Sequence, residues 1–419
     1  MNDNPQKVFL CDLTTMIKRG ISPVYTENGI PVFNQKCIRD SRVNLDLRRK
    51  TDPEKRKISV EKFVLLWDVL INSTGVGTLG RMAQIKNIIG ISTVDTHVTI
   101  ARPDLKKVDG RYFGYALNAK QSTIEAMGVG ATGQTELSRI RLGKEIAIPI
   151  PPLSTQHKIS SILSAYDNLI ENNTRRIQIL EEMAKRIYKE WFVDFKYPGH
   201  ENDKIVNSEL GMIPEGWEVD TLNSFGQIST GRTPPKKDPD NYGDYIPFIK
   251  IPDYDKSFFL TNYKEFLSET GAHLVNNIIV PKNTLLITTI ATVGLVSITT
   301  TTSSYNQNIN SLIPKNYSYL YYLLFAIKLQ KKYLNALGGG GATFGTVSKS
   351  KLSNVKILNP KLEKIELYKD LVKPLFENML ILLKSNQNLR QTRDLLLPKL
   401  ISGKIDVTDL DIDTSILYD

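Results

Sequence analysis

Cysteine is nearly missing from this 419-residue chain, with Cys11 and Cys37 the only two. Their spacing forms neither a CxxC pair nor a disulfide framework, which excludes the small secreted scaffolds and fits a reducing compartment. Histidine is scarce too: His97, His157, His200 and His273 stand apart, with none of the spacing of a zinc-ligand set. The most apolar stretch, Tyr317 to Ile327, is too short to cross a bilayer and reads as a buried helix. The first residues, Met-Asn-Asp-Asn-Pro-Gln-Lys, lack the apolar core of a signal peptide. The expectation is a cytoplasmic protein with no membrane contact. A nucleophile elbow, an Asn-Pro-Pro-Tyr or Asp-Pro-Pro-Tyr signature and a convincing carboxylate pair are also missing, so no catalytic residue and no metal site is expected.

What is present is ordinary globular composition, 41% hydrophobic and 23% charged, with 54 Lys and Arg against 44 Asp and Glu. A formal charge of +10 favours a polyanionic partner without naming one. The chain also matches itself 211 positions on. Ile17, Gly20 and Pro23 align with Ile228, Gly231 and Pro234, Pro103 with Pro314, and Gly130-Ala131-Thr132 with Gly341-Ala342-Thr343. Ile30-Pro31 pairs with Ile246-Pro247 through small insertions. A period this long is a duplicated domain and not a solenoid, and a duplicated domain can present two similar surfaces to an extended target.

Each copy is a strand-rich stretch with a Pro-marked exit, Ile148 to Leu153 or Ile357 to Leu362, followed by one long helical segment. In the first segment Ile159, Leu163, Tyr166, Ile170, Asn173, Ile177, Leu180, Ala184, Ile187 and Trp191 alternate in steps of four and three. In the second, Ile365, Tyr368, Val372, Leu375, Met379, Leu382, Asn386, Leu389, Arg393 and Leu396 do the same. These are coiled-coil seams, each interrupted by one asparagine that either fixes register or marks a solvated kink. A helix over residues 154 to 195 would be about 60 Å long. Pro374 predicts that the second helix either begins there or bends.

Two segments invite a ligand. Gly75-Val76-Gly77-Thr78-Leu79-Gly80 is a literal GxGxxG after an apolar run, open to a dinucleotide or S-adenosylmethionine reading, but its counterpart in the second copy keeps only Gly294. The run Gly338 to Gly341 lacks a following Gly-Lys-Ser/Thr and reads as a loop, with a phosphate nest as the alternative. For a polyanion, the candidates are Arg39, Arg42, Arg48, Arg49 and Lys50, continuing to Lys55, Arg56 and Lys57, in the first copy. In the second they are Arg232, Lys236, Lys237 and Lys250, among Tyr242, Tyr245 and Phe248. A charged loop can equally be plain solvated surface.

With the repeat and both helices placed, nearly the whole chain resembles the specificity subunit of type I restriction-modification systems. The segments that carry it are Gly20 to Pro23, Gly231 to Pro234, Asp244 to Ile249, Tyr305 to Asn308, Leu180 to Val193 and Leu389 to Gly403. The resemblance implies two α/β (α+β) recognition domains, residues 1–153 and 198–360. It implies spacer helices over 154–197 and 361–403 that pair as an antiparallel coiled coil with pseudo-twofold symmetry, and a tail over 404–419. Its seam is placed at Tyr166, Ile170, Ile177, Leu180 and Ile187 against Leu375, Met379, Leu382, Leu389 and Leu396. Each domain would read one half of a split double-stranded DNA target, with the helices as a ruler; half-sites one turn of DNA apart lie about 34 Å centre to centre. It further implies two modification subunits that use S-adenosylmethionine and restriction subunits that use ATP with Mg²⁺, while this chain binds no cofactor. Asp95-Thr96-His97 departs from Asn306-Gln307-Asn308 at the matching loop, which leaves that loop's role in the first copy open. Two other readings stand beside this one: a DNA-modifying enzyme that uses Gly75 to Gly80 for S-adenosylmethionine, and a structural coiled-coil adaptor.

Overall fold

The computed structural model describes residues 6–87, 89–129, 135–255, 257–339 and 345–414. The Gly-Ala-Thr segments at 130–132 and 341–343, with Gly340, lie outside these residues. The chain divides into two compact units, Met1–Ile170 with Asn388–Asp419, and Glu171–Gln387, so each unit includes part of both long helices.

In the first unit an antiparallel sheet runs in the order Thr14–Arg19, Val98–Pro103, Val69–Asn72, Met82–Gln84. Val69–Asn72 and most of Val98–Pro103 are buried, which is why they read as apolar, β-branched runs without alternation. A second sheet orders Thr93–Val94, Ile30–Phe33, Arg49–Thr51 and Tyr25–Thr26, its first pair parallel. Helix Gly110–Asn118, capped by Asp109, is buried along most of its length.

The second unit repeats this plan. Its main sheet runs Gly226–Thr230, Ile309–Pro314, Leu285–Thr288, Val296–Thr299, Phe259–Leu260. Its small sheet runs Phe266–Leu267, Tyr242–Ile249, Ser304–Tyr305, again with one parallel pair. Helix Leu320–Leu329 takes the place of Gly110–Asn118. Even single bonds recur: the Ile21 N–H donates to the Val94 carbonyl at 2.9 Å and the Arg232 N–H to the Tyr305 carbonyl at 3.0 Å. This close approach explains the repeated glycine. A Cβ on Gly20 would stand 1.8 Å from the Val94 carbonyl oxygen, and one on Gly231 would stand 2.1 Å from that of Asn306.

The departing loops turn out to be one turn written in two ways. The Asp95 carboxylate accepts from the His97 N–H at 2.9 Å, and the Asn306 amide oxygen accepts from the Asn308 N–H at 3.2 Å. Residues 306–308 therefore form a turn between strands Ser304–Tyr305 and Ile309–Pro314.

Both long helices are continuous, Leu153–Phe192 and Leu362–Ile401, with 40 residues each. The first ends earlier than the expected 195, and Phe195 adopts a left-handed φ of 56° as the chain leaves it. Pro374 does not start the second helix. It occupies an exposed position well inside it, and the exposed Asp370 leaves water free to bond the carbonyl that a proline nitrogen cannot reach. Most seam positions are buried and the remainder half-buried. In the first unit Ile159 and Leu163 share a core with Leu397, Leu400 and Ile401. In the second, Ile177, Ala184, Tyr188, Trp191 and Phe192 share one with Ile365, Tyr368, Val372, Phe376, Met379 and Leu382. Asn173 and Asn386 are buried in this second unit, so neither marks a solvated kink.

Candidate nucleic-acid interface

Arg39, Arg42, Arg48, Arg49 and Lys50 sit on two features of the first unit, and Lys55, Arg56 and Lys57 are exposed in the turn that follows. Arg39 and Arg42 flank a hairpin between Ile38–Arg39 and Arg42–Val43. Its two turn residues, Asp40 and Ser41, both take left-handed φ values, 52° and 57°. Paired positive φ values suit the right-handed twist of the flanking strands but cost a non-glycine residue energy, which the packing around the turn must offset. The Asn118 amide supplies one such tie, donating to the Ser41 hydroxyl at 3.0 Å. Arg39 stays largely exposed, with Asp40 at 3.7 Å.

Arg48 follows a 3-10 turn, and Arg49 and Lys50 begin the central strand of the small sheet, all three exposed. The Arg49 guanidinium lies 3.2 Å from the centre of the Tyr25 ring. Cation and ring thereby form one planar, partly exposed platform of the kind that meets phosphates and bases. Tyr25 was not singled out from the sequence, since its partner lies across a strand pair rather than beside it. Replacing Arg48, Arg49 and Lys50 with alanine is expected to flatten the log–log salt dependence of DNA binding by about 0.9 for each phosphate that these cations neutralise. A titration from low to moderate salt reads this directly, and an unchanged slope removes this strand from the interface.

In the second unit Arg232, Lys236 and Lys237 are exposed on the segment that follows strand Gly226–Thr230. The Tyr242 hydroxyl braces that segment by donating to the Pro234 carbonyl at 3.1 Å. Lys250 is placed differently. Its ammonium bonds the Glu265 carboxylate and lies 5.1 Å from the Phe248 ring centre, with only 18% of the side chain exposed. Strand pairing aligns the two small sheets residue by residue: Pro31 faces Lys50 where Pro247 faces Phe266, which sets Arg48-Arg49-Lys50 against Lys264-Glu265-Phe266. The same three-residue segment is thus purely basic in one copy and of mixed character in the other.

The Gly75 to Gly80 segment does not have the architecture of a nucleotide loop. It turns the chain between antiparallel strands Val69–Asn72 and Met82–Gln84, with no helix after it. Gly75, Gly77 and Gly80 supply positive φ for that hairpin. A Cβ on Gly80 would meet the Glu125 backbone at 2.9 Å, and one on Gly294 in the second copy would meet that of Lys331 at 3.3 Å. Among the described residues no group of three His, Cys, Asp or Glu could hold a metal ion, and no helix is long and apolar enough to cross a membrane.

A duplicated α/β fold with exposed cations in each copy and a long helix after each has the make-up of a recognition scaffold. The chain matches the family described as type I restriction modification DNA specificity domain twice, over residues 10–182 and 214–389. It is 28% identical to the type I restriction enzyme HindI specificity subunit of Haemophilus influenzae, over 93% of this chain and 98% of that one. It is 26% identical to the putative type I restriction enzyme MjaX specificity subunit of Methanocaldococcus jannaschii, over 95% and 93%. The crystal structure of the type I S subunit from M. genitalium shares the fold, with a TM-score of 0.58 at 17% identity over 96% and 97% of the two chains. The chain belongs to the family of type I restriction-modification specificity subunits, the non-catalytic DNA-recognition members of enzyme complexes whose catalysis lies in partner subunits.

Proposed function

We propose that each copy of the recognition fold reads one half of a split DNA target. The long helices pair as an antiparallel coiled coil that fixes the distance between halves and docks two modification subunits. Those partners carry S-adenosylmethionine to methylate adenine, restriction subunits add ATP- and Mg²⁺-dependent functions, and this chain itself holds no cofactor. Arg39, Arg42, Arg48, Arg49 and Lys50 contact one half-site, and Arg232, Lys236 and Lys237 the other. Lys250 acts mainly by orienting Glu265, its ion-pair partner.

The observation that carries this reading is the same fold built twice with different chemistry on the equivalent strand, Arg48-Arg49-Lys50 against Lys264-Glu265-Phe266. Two identical strands would suit a palindrome, whereas these suit two unlike half-sites. Antiparallel pairing is supported by the contacts between the helices. Asn173 meets Ser385, while Trp191, further along the first helix, meets Tyr368, which is earlier on the second.

The test is long-read mapping of methyladenine in the source cell, with and without this chain. Loss of methylation at one bipartite motif with a fixed spacer is expected. If every methylated motif survives deletion, the split-target reading fails.

A further inference from the structure

The long helices start at Leu153 and Leu362, 209 positions apart, so each position on one has a counterpart on the other. Burial follows that equivalence closely, with Ile159 and Tyr368, Leu163 and Val372, Ile170 and Met379, and Trp191 and Leu400 all buried. Chemistry does not follow it at two layers.

In the first unit the Arg393 guanidinium donates to the Asp167 carboxylate at 2.6 Å. The two side chains are 18% and 16% exposed. The Tyr115 hydroxyl at 2.7 Å and the Lys86 ammonium complete the carboxylate's partners. Burial alone would raise the Asp167 carboxyl, but Lys86, Tyr115 and Arg393 together hold it down at about 2, so it is charged at neutral pH. The counterparts of Asp167 and Arg393 are Phe376 and Ala184, both fully buried in an aromatic core. The second layer lies in the other unit. The Asn173 amide donates to the Ser385 hydroxyl at 3.5 Å, and the Asn386 amide to the Thr174 hydroxyl at 3.3 Å. The counterparts of Asn173 and Asn386 are Leu382 and Ile177, both buried and apolar.

An antiparallel pair made of two first helices, from two copies of the chain, would put each counterpart in place of the true partner. Asp167 would then face Ala184, and Asn173 would meet Arg176, the counterpart of Ser385, beside Ile177. A pair of second helices would set Arg393 against Phe376 and Asn386 against Leu383, the counterpart of Thr174, beside Leu382. The first self-pairing takes Arg393 from Asp167, which keeps Lys86 and Tyr115, and the second leaves Arg393 against an aromatic ring with only Asp394 of its own helix, and Asn386 against hydrocarbon; losing a partner is strongly unfavourable for a buried charge and moderately so for a buried amide. Only the mixed pair matches ion to ion and amide to hydroxyl, the known means by which a polar seam residue sets partner choice. We infer that these two layers make each long helix select the other and reject a copy of itself. The inference rests on the antiparallel pairing proposed above.

The test keeps the full chain and rewrites both layers in the chemistry of their counterparts: Asp167→Phe with Arg393→Ala, and Asn173→Leu with Asn386→Ile. Every layer is then self-compatible. Arg175 marks where two antiparallel first helices would cross, midway between Asn173 and Ile177, and it is exposed. Arg175→Cys in a Cys11→Ser background therefore reports self-pairing through a bismaleimide cross-link between copies. The four-residue variant is expected to give at least ten-fold more cross-linked dimer than the parent, with a matching dimer in sedimentation. Asn173→Leu with Asn386→Ile alone removes no charge, so it serves if the larger variant misfolds, and several-fold more dimer is expected. Equal cross-linking of parent and variants overturns the selection rule. The pairing itself is read separately, from melting temperatures of Asp167→Ala, Arg393→Ala and their combination. A combined loss smaller than the sum of the single losses upholds the contact, and strictly additive losses mean that the pairing reading has failed, not the selection built on it.

Discussion

Phe376→Ala is expected to lower the stability of the unit formed by residues 171–387 by about 3–5 kcal/mol, the range for truncating a fully enclosed aromatic. Phe376 projects from the second long helix with no exposed surface. It stacks on Tyr321 at 4.1 Å between ring centres and on Phe258 at 5.6 Å, with Phe259 and Phe325 edge-on at 6.0 and 6.2 Å. One ring therefore ties the helix to the recognition fold of its own unit. Alanine would leave a void walled by four aromatics that cannot all collapse into it, since each is held by further contacts. Trp191 and Trp217, buried in the same core, report the destabilisation as an earlier fluorescence change in denaturant. A loss below about 1 kcal/mol would mean that the surrounding rings close over the gap and that this anchor is dispensable.

The parts that could be read from the sequence were those written in local periodicity or in repetition. The four-three spacing of Ile159 to Trp191 and Ile365 to Leu396 forecasts a buried stripe because a helix returns to the same face at those steps, and every position on it is buried or half-buried. The paired glycines at 20 and 231 were visible as a repeat, although their reason, a carbonyl within 2.2 Å of any added Cβ, lies in segments distant in the chain. Local motifs misled where they omitted context. Gly75 to Gly80 has the letters of a nucleotide loop, and only the antiparallel strand after it shows a hairpin. Pro374 reads as a boundary because sequence rules treat a mid-helix proline as costly, yet packing on both sides of it keeps Leu362–Ile401 continuous. What no window could reveal is pairing between distant side chains. Arg49 on Tyr25, Lys250 on Glu265 and Arg393 on Asp167 each depend on strands or helices brought together by the fold. Of the candidate cations in the second copy, Lys250 alone is set apart by such a pairing, with Arg232, Lys236 and Lys237 exposed.

Arg102→Leu should cost the first unit about 3–5 kcal/mol at neutral pH, because it strips the partner from a carboxylate with no exposed surface. Arg102 grips Asp68 through Nε at 2.9 Å and Nη2 at 2.8 Å and also donates to the carbonyls of Phe63 and Glu61. Burial pushes the Asp68 carboxyl up, and the bonds from Arg102 and the Leu65 N–H only partly offset it. Without Arg102 it rises further. A carboxyl raised above its unfolded value binds its proton more readily in the folded chain, so stability increases as pH falls. The deficit of the variant should therefore shrink from pH 7 to pH 5, and denaturation midpoints at the two values read it; a constant deficit would locate the loss in packing instead. The second copy shows how the fold manages without the pair. Trp67 and Asn283 share a left-handed φ, 69° and 66°, which aligns Asp68 with Thr284, while strand register aligns Arg102 with Ile313. Thr284 satisfies itself locally, its hydroxyl donating to the Pro281 carbonyl at 2.9 Å. Asp68→Thr with Arg102→Ile should accordingly recover most of the stability that Arg102→Leu removes, since a buried ion pair is worth little against a neutral pair already built for the same place. If the double variant is no better than the single one, the ion pair supports the Glu61 to Leu65 loop through the Arg102 bonds to its carbonyls, and the two copies have diverged in how that edge of the recognition fold is held.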